Sequence, residues 1–90
     1  MPHDPARVAD TKAWLAKATQ DLKAAEQLLR VSPDLFGAAV FHCQQAAEKA
    51  MKGFLAWHDV PFRKTHDLEQ IGEACLAIDP ALKEVAVRFP

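Results

Sequence analysis

Within the segment FHCQQAAEKAMKGFL, residues 41 to 55, four side chains suit the holding of an anion: the imidazole of His42, the amide of Gln45 and the ammonium groups of Lys49 and Lys52. On a helix turned by about 100° per residue they share one arc roughly a quarter-turn wide, with Glu48 beside it and the apolar residues centred opposite. Two explanations compete. Such an arc can simply face water, with Glu48 and Lys52 paired at the stabilising four-residue spacing. It can also bind phosphate, the more so if the basic run Arg63-Lys64-Thr65-His66 folds over it and the next helix adds the free N–H groups of its first turn. Gln44 falls at the edge of the apolar arc, where a buried amide needs partners.

Other chemistry is poorly represented. There is no G-x-x-x-x-G-K-[ST], G-x-G-x-x-G or G-x-S-x-G, and only three glycines exist to build such loops. His3, His42, His58 and His66 show no metal-ligand spacing, so no metal site and no cofactor are expected. Cys43 stands next to His42, but neighbours on a helix point about 100° apart, so it reads as a core cysteine rather than an activated nucleophile. His66 suits a phosphate contact or a general base, and equally a helix cap.

The elements that must position these residues are helical throughout. Asp4-Pro5 is a cap followed by proline at the first helical position. Beyond it Val8, Thr11, Leu15, Ala18, Leu22, Ala25 and Leu29 recur every three or four residues, widened by Trp14 and Leu28. Ser32-Pro33-Asp34 breaks the chain. A second helix from Leu35 to about His58 carries Phe36, Val40, Cys43, Ala47, Ala50, Phe54 and Trp57 as its apolar stripe. Two long helices on a short loop pack antiparallel. After a loop around Pro61, Thr65 or His66 caps a third helix, with Asp67 and Glu69 in its positive first turn and Leu68, Ile71, Cys75 and Ile78 on its apolar side. Asp79-Pro80 opens a fourth, carrying Leu82, Val85, Ala86 and Phe89. The expected fold is all-α: an antiparallel up-and-down bundle of four helices, or five with one more, built on the long two-helix hairpin.

Ninety residues make a single domain with a modest core. Eleven Lys and Arg against twelve Asp and Glu leave a net charge of −1, so bulk charge does not argue for nucleic acid. Two distant cysteines form no disulfide framework, and no run approaches the roughly 18 apolar residues of a membrane span. The N-terminus lacks the apolar run of a signal peptide. A cytoplasmic protein without membrane contact is expected. An open bundle with a short fourth helix would leave parts of Trp14, Phe54 and Phe89 for a partner chain to cover.

The pattern A-x-x-D-L-K-A-A-E-x-L-L from Ala18, then FGAAVFHCQQAAEKAMKGFLAWHDV, then KTHDLEQI, resembles the HEPN domain (higher eukaryotes and prokaryotes nucleotide-binding) from about residue 8 to residue 89. Q-Q-A-x-E-K-A-x-K followed by K-T-H-D-L points to its prokaryotic branch. The resemblance implies a homodimer of four- to five-helix bundles, often partnered by a minimal nucleotidyltransferase in a toxin–antitoxin module. Many members are metal-independent ribonucleases with Arg, four to six residues, then His on a late helix. Here Arg63 and His66 stand too close for that motif, and Arg88 has only two residues after it, so no catalytic residue carries over.

Three readings follow. The first is a HEPN-like binding domain within residues 1–90, lacking a C-terminal helix, in which Lys49, Lys52, Lys64 and His66 hold a nucleotide or RNA phosphate. Gln45 would read a base or sugar edge, with His42, Glu48 and Asp67 in support. The second is a ribonuclease toxin whose Arg/His motif lies beyond residue 90, and the third a purely structural dimerisation module.

Overall fold

The computed structural model describes residues 4–62 and 67–78, and among these every regular element is helical. Helix α1 runs Pro5–Val31, a short 3-10 turn follows at Pro33–Leu35, and α2 runs Phe36–Trp57. Helix α3 runs Leu68–Ile78. The fourth helix expected after Asp79-Pro80 lies outside the described residues, so the structure shows the hairpin and the third helix of the expected bundle. No helix among the described residues is long and apolar enough to cross a membrane.

Helix boundaries follow the local chemistry. Asp4 Oδ1 accepts the Ala6 N–H at 3.0 Å ahead of Pro5, whose missing N–H falls where a helix has no acceptor for it. Ser32 ends α1, its N–H donating to the Leu28 carbonyl at 3.1 Å, and its Oγ accepts from Asp34 N at 3.2 Å to start the turn. At the far end of α2 Asp59 adopts φ 55°, its N–H bonding back to Ala56 O and the Val60 N–H to Leu55 O at 2.9 Å. This is the left-handed closure usually given to glycine. Here Arg7 of α1 pairs with the Asp59 carboxylate at 3.2 Å and ties the two helix ends together. At the start of helix α3 Asp67 Oδ1 accepts from Glu69 N and Gln70 N; the expected caps Thr65 and His66 lie outside the described residues.

The hairpin closes through small residues at sevenfold spacing: Thr11, Ala18 and Ala25 are buried on α1, and Ala39, Ala46 and Gly53 on α2. Their small size lets the axes approach. At Gly53 an added Cβ would stand 3.3 Å from Trp14 Cβ and 3.4 Å from Leu15 Cδ2. The second core lies between α2 and α3, where Leu55, Ile71 and Cys75 are buried with Met51, Phe54, Val60, Phe62, Ala74 and Ile78 against them. Burial there pushes the Cys75 thiol above its ordinary pKa, because the thiolate loses its water.

One expectation holds only in part. Of the expected apolar stripe of α2, Phe54 and Trp57 are half-buried, but Phe36, Val40, Cys43, Ala47 and Ala50 are exposed; on α1 Thr11, Ala18 and Ala25 are buried, but Leu15, Leu22 and Leu29 are exposed. Cys43 is therefore a surface thiol, not a core one, and Gln44 is exposed and needs no buried partner. Trp14, expected to be left open in part, is half-buried within the fold. The physical reason is size. Alanine and glycine let two backbones meet more closely than leucine and phenylalanine do, and the helices rotate to bring those residues together.

Candidate functional site

That rotation carries the polar arc of α2 into the seam between the helices. Asp21, buried on α1, faces it, and its two carboxylate oxygens are divided between two partners. Oδ1 meets His42 Nδ1 at 2.8 Å and Oδ2 accepts from Lys49 Nζ. The Asp21 side chain is 11% exposed, against 25% for Lys49 and 33% for His42. The hydrogen bond from Lys49, then that from His42, holds the Asp21 carboxyl below its ordinary pKa, although burial alone would raise it. A carboxylate only accepts, so Nδ1 of His42 carries the proton in this contact, and Nε2 is the ring nitrogen left free of Asp21.

One turn further along α2 a second pair lies deeper. Lys52 Nζ stands 3.4 Å from Glu48 Oε2, with both side chains almost fully buried. Its ammonium lies 5.3 Å from the Trp14 ring centre and 5.9 Å from that of Phe62, and these two rings meet edge to face at 5.8 Å. A cation over aromatic faces recovers part of the hydration it loses. Gln45 sits half-buried on the same side of α2.

The structure thus brings His42, Lys49, Lys52 and Glu48 to one seam but divides them. His42 and Lys49 share Asp21 near the surface, while Lys52 is enclosed with Glu48. Lys64 and His66 lie outside the described residues, and Asp67 is occupied at the start of α3. Within the cluster the carboxylates of Asp21 and Glu48 offset the charges of Lys49 and Lys52, so its attraction for an anion rests on local donors rather than on surplus charge. A concavity of about 860 Å³ beside the start of α1 is lined by Asp4, Asp10 and Asp59 against the single Arg7. That balance repels phosphate.

Asp21 is the residue that hydrophobic patterning passes over. It lies on the buried row of α1, between Ala18 and Ala25 at spacings of three and four, and a carboxylate among buried alanines is the signal that marks it.

The HEPN domain family model matches residues 11–87. No curated protein and no solved structure matches the chain.

Proposed function

The chain belongs to the HEPN domain family, and from that premise we propose that it is a binding domain for a nucleotide or an RNA phosphate. The polar side of the α1–α2 seam would be the contact surface. The observation that carries this reading is the clamp of Asp21 on His42 and Lys49, a half-buried and geometrically fixed set of polar groups beside a seam of small residues. Lys49 keeps further N–H donors for a phosphate oxygen, and Nε2 of a neutral His42 ring can accept from a ribose hydroxyl or a base N–H. Gln45 would read a base or sugar edge beside them. Lys64 and His66 are the further anion contacts. Lys52 and Glu48 support the floor of the site from within, and Asp67 fixes the helix that begins behind it. A minimal nucleotidyltransferase is the protein partner this reading assigns, within a toxin–antitoxin pair.

Calorimetric titration of ATP and of a short single-stranded RNA tests it. Saturable binding that weakens about tenfold on Gln45→Ala and on Lys64→Gln is expected, corresponding to about 1.4 kcal/mol for each side chain replaced. These two positions are preferred to Lys52, whose burial would confound binding with folding. Absence of heat with both ligands, or unchanged affinity in both variants, refutes the assignment. Cleavage of the RNA by the 90-residue chain would instead favour the ribonuclease reading.

A further inference from the structure

Near the open end of the hairpin the two long helices enclose a groove of about 600 Å³, walled by Val8 and Leu15 from α1 and by Ala50, Phe54 and Trp57 from α2. Its size falls within the roughly 300–1,000 Å³ of small-molecule sites, and its lining is mostly apolar, as theirs is. Ala50 and Gly53 leave the α2 wall low at one end, and the larger side chains of Phe54 and Trp57 raise it at the other.

Two polar groups interrupt that lining, and neither has a partner among the described residues. Thr11 is only 9% exposed, and its Oγ1 makes no hydrogen bond there. A buried hydroxyl left in that state destabilises the fold, and the apolar packing around it gives no reason to keep it. Lys12, the next residue along α1, is exposed at the rim of the groove, and its ammonium pairs with no carboxylate among the described residues. No acidic side chain is among those that line the groove. A donor at the floor and a single cation at the rim complement an anion with an apolar body.

Shape narrows the class of that body. Val8 to Leu15 spans about 10 Å at 1.5 Å per residue, and the groove's volume spread over that length gives a mean cross-section of about 60 Å². A space so short and broad suits a flat ring system better than a single alkyl chain, which needs length rather than width. Phe54 and Trp57 supply rings for it to pack on, and aromatic pairs attract beyond the area they bury. We propose that this groove binds a small aromatic carboxylic acid, its rings against Phe54 and Trp57 and its carboxylate shared by the Lys12 ammonium and the Thr11 hydroxyl. Threonine in a helix is divided between two χ1 rotamers, so an acceptor in the groove draws the hydroxyl out of the seam. The site shares no residue with the Asp21 cluster and stands independently of the nucleotide-binding reading.

Calorimetric titration of naphthalene-2-carboxylate into the whole chain tests the proposal, with the corresponding carboxamide as the uncharged analogue and decanoate as the alkyl acid. The naphthalene acid should bind saturably below millimolar concentration, and the amide about tenfold more weakly. Lys12→Gln should weaken the acid about tenfold, to the level of the amide, with unchanged helical circular dichroism because Lys12 is exposed. Thr11→Val should raise the melting temperature and yet weaken the acid, a pair of opposite responses that a purely structural hydroxyl does not give. Ala50→Phe, at an exposed position, should fill the groove and abolish binding. No saturable heat with the acid, or equal affinity for acid and amide, overturns the proposal. Affinity untouched by both Lys12→Gln and Ala50→Phe overturns the choice of groove, and tighter binding of decanoate overturns the aromatic body.

Discussion

Replacing Asp21 by asparagine keeps the shape of the side chain and removes its charge, which isolates the clamp from packing. Hydrogen bonds to charged groups contribute about 1.5–3 kcal/mol each, and breaking a buried ion pair costs about 3–5 kcal/mol. Both partners here keep access to water, Lys49 at 25% and His42 at 33% exposure, and asparagine can still accept one bond, so the lower end applies. A loss of about 2 kcal/mol is expected, or roughly 8–16 °C in melting temperature for a domain of this size. Urea unfolding followed by circular dichroism measures it, and a double-mutant cycle with Lys49→Met should show about 1 kcal/mol of coupling. The difference should depend on pH in one direction. The folded carboxyl titrates below its ordinary value near 3.9, so its contribution is complete above about pH 4 and fades as the pH falls through the lowered value. Wild type and Asp21→Asn should therefore converge in acid. A gap under about 0.5 kcal/mol at pH 7, or one that stays constant down to pH 3, refutes the argument, since surface substitutions commonly have effects of that size.

Two substitutions in the hairpin seam should move stability in opposite directions. Gly53→Leu must push α1 from α2, since even a Cβ there stands 3.3 Å from Trp14 Cβ; a loss of about 2 kcal/mol or more in thermal or urea melts is expected despite the better helix propensity of leucine. Thr11→Val should stabilise by about 1 kcal/mol in the same assay, because Thr11 Oγ1 is buried without a hydrogen-bond partner and valine fills the same space.

The elements are legible in the sequence because their signals are local. Asp4-Pro5 and Ser32-Pro33-Asp34 act within one turn, and both ends of α1 fall where those residues put them. The rotation of the helices is not legible from hydrophobicity, because two rows compete on α2. The row of Phe36, Val40 and Phe54 is more apolar, and that of Ala39, Ala46 and Gly53 is smaller. A periodicity weighted by transfer energy picks the first, whereas backbone approach picks the second. The same ambiguity hides Asp21, which sits one residue before the more conspicuous Leu22. The arc of His42, Gln45, Lys49 and Lys52 is legible as one group, but its depth is not. Whether a lysine meets water or an aromatic pair depends on Trp14 and Phe62, and Trp14 lies far from Lys52 in sequence.

The Gly53 contact and the left-handed Asp59 closure bear on the order in which the chain assembles. The α1–α2 hairpin is joined by the four residues from Ser32 to Leu35 and closed by its own small residues, so it can form from neighbouring segments with little loop-closure cost. Helix α3 adheres through a compact cluster around Leu55 and Ile71, reached only after the chain has reversed at Asp59. The molecule is then a stable two-helix rod carrying a separately docked third helix, and partial opening would release α3 first. Phe62 packs with that cluster and also lies over Lys52, so detachment of α3 would uncover the buried ammonium while leaving the Asp21 clamp assembled.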